Sequence, residues 1–240
     1  MWCRIKPLTE KTAREIELHN FLPPHENIIR LRESLEYGGS VIMILEYAMQ
    51  DLYTLINSHA DGLSEEWARK ILRGTAQALA HCHHHKIAHL DVKPENILLM
   101  SNVNVQGDES CPSPKLCDFG EAVFFEMGEY HQEAAGAPDY CSPEVLQASY
   151  LPMVADMWSL GVTLFAMLSG QLPFTGPTRE LTFQRIRDQE LDINPLQGQC
   201  SQQGVDLVRR LLTRDTGKRL TARQVLAHPW LDDTGTEFCA

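Results

Sequence analysis

Asp91, Lys93 and Asn96 lie within six positions in the stretch AHLDVKPENILLM, just before a run of branched apolar residues. Carboxylate and amide oxygens are hard donors of the kind that Mg²⁺ prefers, and a carboxylate can also accept a proton from a reacting hydroxyl. In isolation the segment 91–96 is typical of a turn, because Pro94 fixes a bend and Asp and Asn are common turn residues. Its interpretation therefore depends on the motifs further along the chain.

A second aspartate, Asp118, follows in KLCDFGEA, 22 positions after Asn96, and PDYCSPEVL and ADMWSLGV come next. This ordered set resembles the eukaryotic-type protein kinases, whose signature is H-R-D-L-x-x-x-N, then D-F-G, then A-P-E. The matching residues here are His89-Leu90-Asp91 with Asn96, Asp118-Phe119-Gly120, and Ser142-Pro143-Glu144. The resemblance extends from about Arg4 to Leu231.

The resemblance implies an ATP-dependent serine/threonine protein kinase, in which catalysis rests on positioning and on neutralising phosphate charge. Asp118 is expected to hold Mg²⁺ on the ATP phosphates, and Asn96 to complete the coordination of a second metal ion. Asp91 is expected to act as the base that accepts the proton of the substrate hydroxyl. Lys93 resembles the lysine that contacts the transferred phosphate in serine/threonine kinases rather than tyrosine kinases.

The same resemblance predicts where the nucleotide binds. The segment ILEYAMQDL looks like the hinge, with Leu45 as the gatekeeper and the backbone of Glu46 and Ala48 facing adenine. Asp51 stands where a ribose contact is often found, and Leu98 is included in the predicted nucleotide-binding set. The resemblance also implies two structural contacts. Glu144 should pair with Arg219, and Asp156 should anchor the backbone of the catalytic loop.

Leu90 and the activation loop depart from the family pattern. The arginine that commonly stands at position 90 binds a phosphate on that loop, which a leucine cannot do. The loop from Glu121 to Cys141 contains no serine or threonine. We therefore expect that Ser/Thr phosphorylation in this segment does not switch the enzyme. Ala137 replaces a threonine that usually bonds the catalytic aspartate and lysine, a loss of about 1 kcal/mol.

The amino-terminal segment leaves two questions open. The Gly-rich loop of the family precedes the V-A-I-K strand, and this chain starts at that strand, with CRIK as the candidate. Lys6 would then be the phosphate-binding lysine and Glu15 its helix partner, although nine residues are few for this connection. Lys6 could instead be a solvated lysine, and Glu17 is the alternative partner. Arg4 falls where a small alanine normally packs on adenine.

The missing loop supports an alternative function, a pseudokinase or scaffold with weak or no phosphotransfer. A truncated product and a minimal kinase would have the same sequence. The joint presence of Asp91, Lys93, Asn96 and Asp118 favours the enzyme, because a scaffold has no chemical need of all four.

The hydrophobic patterns predict a small mixed lobe packed on a larger helical lobe. The resemblance implies an α+β, two-lobed protein-kinase-like fold with a truncated small β-rich N-lobe and a mainly helical C-lobe. The predicted domain is 1–240, with a partial N-lobe at 1–47, a hinge at 48–51 and a helical lobe at 52–240. The N-lobe should hold a strand, a helix with Ala13, Ile16, Leu18, Phe21 and Leu22 on one face, and a hairpin of strands Ile28–Leu35 and Val41–Leu45 around Gly38–Gly39. Ser64 is predicted to cap a long helix, SNVNVQGDESCPSP to be a surface loop, and DMWSLGVTLFAMLSG to be a buried central helix.

Composition limits the classes of partner. The chain of 240 residues carries 32 acidic residues against 21 Lys plus Arg, a net charge of −11, which argues against non-specific nucleic-acid or anionic-membrane binding. Seven cysteines without regular spacing indicate a reducing compartment. We expect no signal peptide, no apolar stretch of membrane-spanning length, and a cytoplasmic or nuclear location. The expected partners are protein substrates and a possible regulatory protein. The histidine run at 81–85 lacks the spacing of a zinc motif.

Overall fold

The computed structural model describes residues 2–100, 113–133 and 135–232. The α-helices are α1 Glu10–Phe21, α2 Leu52–Asn57, α3 Glu65–His84, α4 Pro152–Ser169, α5 Arg179–Asp188, α6 Gln202–Leu211 and α7 Ala222–Leu226. The strands are β1 Trp2–Pro7, β2 Leu31–Tyr37, β3 Ser40–Leu45, β4 Gln50–Asp51, β5 Ile87–Ala88, β6 Ile97–Leu99, β7 Pro114–Leu116 and β8 Val123–Phe124. Most of the predicted loop at 101–114 lies outside the described residues.

The amino-terminal part is an antiparallel three-stranded sheet in the order β1–β3–β2, with α1 between β1 and β2 along the chain. The predicted hairpin turn is confirmed, and Gly38 and Gly39 have the positive φ angles of 58° and 77° that glycine adopts without strain. The first hairpin strand begins later than predicted, at Leu31. Ile28 is instead paired with Leu116 in an isolated bridge, so the start of the apolar run is used to join the two parts of the molecule.

Helix α1 forms as predicted, but its buried face differs from the predicted one. Thr9 caps its first turn by accepting a hydrogen bond from the Thr12 amide. The buried residues of the helix are Thr12, Glu15 and Leu18, whereas Ala13 and Phe21 are exposed. The prediction that Ala13 and Phe21 face the core was wrong. The helix instead buries the polar residue Glu15, which forms an ion pair, and hydrophobic periodicity cannot detect a buried polar residue.

The carboxy-terminal part is mainly helical and is built on α3 and α4. Ser64 caps α3 as predicted, with its hydroxyl accepting from the Trp67 amide at 3.3 Å. Helix α4 is buried along almost its whole length and ends at Gly170, whose φ is 69°. It also reaches the length and hydropathy of a membrane span, contrary to the sequence expectation, but 89% of that window is buried inside the protein. These properties are those of a core helix.

A buried ion pair braces this helical part. As predicted, Arg219 forms a two-pronged contact with Glu144, and its side chain is fully buried. The same guanidinium donates to the carbonyl oxygens of Val154 and Thr213 and lies 5.1 Å from the centre of the Trp158 ring. The Glu144 carboxylate, two carbonyl oxygens and an aromatic ring therefore compensate the charge of this buried arginine.

Candidate active site

Helix α4 holds the backbone of the loop that carries Asp91. The buried carboxylate of Asp156 accepts hydrogen bonds from the amides of His89 at 2.9 Å and Leu90 at 2.7 Å. Leu90 has a positive φ of 61°, which is uncommon for a residue with a side chain. The two bonds to Asp156 fix this backbone geometry, as the sequence predicted for Asp156.

Asp91, Lys93 and Asn96 form one hydrogen-bonded group. Lys93 Nζ donates to Asp91 Oδ2 at 2.7 Å, and Asn96 Nδ2 donates to the same oxygen and to the Asp91 carbonyl, both at 2.8 Å. Pro94–Asn96 is a short 3-10 helix, so the sequence turns Asn96 back towards Asp91. Lys93 and Asn96 therefore both donate a hydrogen bond to the carboxylate of Asp91.

Asp118 is attached to the same group through the backbone. The amide of Cys117 donates to the Asn96 carbonyl at 2.9 Å, and the buried His89 ring contacts the Cys117 carbonyl at 3.0 Å. Asp118 itself has a left-handed conformation with φ of 65° and ψ of 76°. Residues 91, 96 and 118, which are distant in sequence, are thus held together by short-range contacts.

Two cations contact Asp118. Lys6 Nζ lies 3.0 Å from Oδ1, and Arg4 Nη1 lies 2.7 Å from Oδ2. Burial alone would raise the pKa of Asp118, but Arg4 and Lys6 lower it to about 2. The carboxyl group is therefore ionised throughout the physiological pH range.

Lys6 also pairs with the helix residue that the sequence proposed, since its Nζ lies 2.7 Å from Glu15 Oε2. Burial lowers the pKa of Lys6, but its bonds to Glu15 and Asp118 raise the pKa overall. Glu15 is buried, which raises its pKa, and the bond to Lys6 counteracts this effect. Glu17 is exposed and is not the partner. The nine-residue connection is long enough because only Leu8 and Thr9 separate β1 from α1.

Asp91 and Asp118 line a single cavity of about 250 Å³, together with Lys6, Glu15 and Gly120. The donor set of a carboxylate at 118 and a carboxamide at 96 fits a hard divalent cation. Among the residues that the structure describes, no group of three or more His, Cys, Asp or Glu is arranged to hold a metal ion.

A buried apolar group contains three of the predicted nucleotide-binding residues. Leu45, Ala48 and Leu98 are buried together with Ile29 and Cys117, the residue before Asp118. Apolar side chains of this kind are the usual lining of a site for an aromatic base, so their part in nucleotide binding stays a prediction.

Glu46 and Asp51 lie in the segment ILEYAMQDL, and Asp51 ends the hinge predicted at 48–51. The side chain of Glu46 contacts Lys115 at 3.3 Å, and its amide donates to the Arg30 carbonyl. The Asp51 carboxylate caps α2 by accepting from the Thr54 amide at 2.7 Å. A role for these two residues in nucleotide binding remains a prediction.

Leu90 packs into an apolar cluster under the activation segment. The cluster includes Ala88, Phe125, Val145 and Tyr150. Tyr150 also pairs with His131 through two backbone hydrogen bonds, of 2.8 and 3.1 Å, and its hydroxyl donates to the Glu133 carbonyl at 2.8 Å. The family pattern has a phosphate-binding arginine at position 90. Around Leu90, the described part of the activation segment is held instead by apolar contacts and neutral hydrogen bonds.

Three side chains of α1 contact the segment that follows Asp118. The ring of His19 lies 4.9 Å from that of Phe119, Phe21 lies 5.1 Å from Phe124, and Lys11 pairs with Glu121. Sequence reasoning did not identify His19, although it stands four positions after Glu15 and hence on the same face of the helix. It also missed the contact of Arg4 with Asp118, which its position two residues before Lys6 on a strand could have indicated.

Comparison with known proteins agrees with the geometry. The family model described as protein kinase domain matches residues 4–231. Calcium-dependent protein kinase 25 of Arabidopsis thaliana is 36% identical over 230 residues, covering 94% of this chain and 42% of that protein. Death-associated protein kinase 2 of Mus musculus is 36% identical over 217 residues, covering 89% of this chain and 56% of that protein. The chain thus spans about half the length of these relatives.

Proposed function

This chain belongs to the protein kinase domain family, and on that premise we propose that it transfers the γ-phosphate of ATP to serine or threonine hydroxyls of proteins. The observation that carries the proposal is the single cavity lined by Asp91 and Asp118, with Asn96 hydrogen-bonded to Asp91. Relatives about one-third identical are named as calcium-dependent and death-associated protein kinases. Their names support the activity, and the substrate of this chain is left to experiment.

In the proposed mechanism the residues of the chain mainly position the reacting groups and neutralise the charge of the phosphates. Asp91 accepts the proton of the incoming hydroxyl, and Lys93, 2.7 Å from it, stabilises the charge on the transferred group. Lys6 binds phosphate oxygens and is oriented by Glu15. Asp118 and Asn96 would hold Mg²⁺, which when bound supplies further positive charge at the phosphates. Asn96 also keeps the Asp91 carboxylate oriented through its amide donor.

The nucleotide base is proposed to lie against the apolar group of Leu45, Ala48 and Leu98. The backbone of Glu46 and Ala48 would supply the polar contacts to adenine, and Asp51 a contact to the ribose. A cytoplasmic or nuclear location is proposed on the basis of the free cysteines among the described residues, which include the buried Cys82, Cys117 and Cys141. The proposed partners are protein substrates, with a regulatory protein as a further possibility.

A thermal-shift titration with ATP and Mg²⁺ tests the nucleotide site directly. A ligand that binds the native state raises its melting temperature, so millimolar ATP with Mg²⁺ should raise it by a few degrees. Asp118→Asn should lose most of this shift, whereas Asp61→Asn, a change at an exposed surface aspartate, should keep it. Absence of a shift in the unaltered chain would favour the alternative of a scaffold without phosphotransfer.

A further inference from the structure

Arg4 and Lys6 lie on the same face of β1 and reach the same carboxylate. Side chains alternate along a strand, and Ile5 between them points away and is 68% exposed. Arg4 Nη1 contacts Asp118 Oδ2 at 2.7 Å, while Lys6 Nζ contacts Asp118 Oδ1 at 3.0 Å. Each oxygen of the carboxylate assigned to the metal therefore already contacts a cation of the protein.

The charges of this group balance without a metal ion. Arg4 and Lys6 carry two positive charges, and Asp118 and Glu15 carry two negative ones. The side chains of Arg4, Lys6 and Asp118 are each about one-quarter exposed, so water screens their interactions incompletely. A divalent cation bound to Asp118 would lie next to the Arg4 guanidinium, and the repulsion between these like charges would weaken its binding.

We propose that Arg4 is a nucleotide-site residue that occupies Asp118 until a metal ion and a triphosphate bind together, and that it then contacts the phosphate. This inference rests on the proposed function. Once the metal ion takes Asp118, the guanidinium loses this contact and lies beside a divalent cation, a repulsion that a nearby anion would relieve. A phosphate group supplies one, because the planar fork of arginine matches two phosphate oxygens.

The consequence is thermodynamic coupling between metal and nucleotide. In the absence of nucleotide, metal binding must break the Arg4–Asp118 contact and place the metal ion next to the guanidinium. In the presence of nucleotide, the same guanidinium gains a phosphate contact. Arg4 therefore weakens the binding of the metal ion alone and strengthens the binding of the metal ion and the nucleotide together. The effect of each ligand on the affinity of the other is reciprocal.

The test measures Mn²⁺ binding by electron paramagnetic resonance, with Mn²⁺ as the probe in place of Mg²⁺. Arg4→Met removes the charge and keeps much of the side-chain length, and Arg32→Met, at an exposed position on β2, is the matched control. Without nucleotide, Arg4→Met should bind Mn²⁺ at least about fivefold more tightly than the unaltered chain. With Mn²⁺ saturating, it should bind a non-hydrolysable ATP analogue at least about fivefold more weakly. Arg32→Met should change neither value.

Equal Mn²⁺ affinities, within twofold, of Arg4→Met and the unaltered chain would overturn the inference. If the unaltered chain binds the Mn²⁺–nucleotide pair in an Asp118-dependent manner in that experiment, the proposed function stands and only the role of Arg4 fails. If the unaltered chain binds neither metal nor nucleotide under any condition, both fail together. Circular dichroism melting checks that the variant is folded, and Arg4→Gln serves as a second charge-free variant with the same expected shifts.

Discussion

Glu15 on α1 and Lys6 on β1 are joined by a contact of 2.7 Å, and Lys6 in turn lies 3.0 Å from Asp118. A helix, a sheet and the segment that carries Asp118 are thereby connected through one ammonium group. The position of α1 consequently determines whether Lys6 faces the cavity.

This relationship predicts a selective loss of activity in Glu15→Gln. The neutral amide cannot hold the Lys6 ammonium by charge, so phosphate positioning weakens, and we expect kcat/KM for peptide phosphorylation to fall by about 10- to 100-fold. Glu17→Gln, two residues away and exposed, is the matched control and should keep its activity. Equal activities of the two variants would contradict the assignment of Glu15.

His19 predicts a pH dependence of stability. Burial lowers the pKa of His19 to about 4, against an ordinary value of 6.5, and the neighbouring His89 and Lys6 act in the same direction. Asp118 acts in the opposite direction, and Arg4 in the same direction as Lys6. Because the unfolded chain takes up a proton on this group below pH 6.5 and the folded chain does not until about pH 4, the stability falls as the pH falls through this range.

Between pH 7 and pH 5, His19 should cost on the order of 2 kcal/mol of the free energy of unfolding. His19→Leu removes the titrating group, so its stability should change less over this range when measured by urea unfolding. His84→Gln, at an exposed histidine of α3, should behave like the unaltered chain. An identical pH dependence in His19→Leu and the unaltered chain would show that His19 is not the responsible group.

The apolar cluster around Leu90 predicts activity without phosphate on the activation segment. Protein treated with a phosphatase should retain its activity, and so should Tyr130→Phe with Tyr140→Phe, with mass spectrometry confirming the absence of phosphate. Leu90→Ala should lower both the activity and the free energy of unfolding, the latter by about 2–4 kcal/mol, because it opens a cavity in a packed cluster. Strong activation by phosphate on either tyrosine would refute this account.

Ala137 predicts a gain of function. A cavity of about 10 Å³ is lined by Asp91, Ala137 and Ser142, and the buried Ser142 hydroxyl has no hydrogen-bond partner in the described part of the chain. Ala137→Thr would supply a hydroxyl beside Asp91, worth about 1 kcal/mol, and should raise kcat up to about fivefold. Ala137→Val has nearly the same shape without the hydroxyl and should give no gain. An equal gain in both variants would point to cavity filling instead.

The sequence was sufficient for the parts of the site that rest on short motifs. The resemblance to the protein kinases implied the grouping of Asp91, Lys93 and Asn96, the Asp156 anchor and the Glu144–Arg219 pair, whereas the Ser64 cap follows from local hydrogen bonding. Hydrophobic periodicity alone could not predict the buried face of α1, because the ion pair of Glu15 with Lys6 overrides the apolar period. Alternation along β1 indicates that Arg4 shares a face with Lys6, but its contact with Asp118 also depends on how β1 packs against a segment more than one hundred positions away.

The central claim is that Asp91 serves phosphotransfer in a metal–nucleotide cavity. Its most direct test measures ³²P transfer from γ-labelled ATP with Mg²⁺ to a peptide library centred on serine or threonine, comparing the unaltered chain with Asp91→Asn and with the surface control Asp61→Asn. We expect the unaltered chain and Asp61→Asn to label the library, and Asp91→Asn to do so at least about 100-fold more slowly. No labelling by the unaltered chain, or undiminished labelling by Asp91→Asn, would contradict the account.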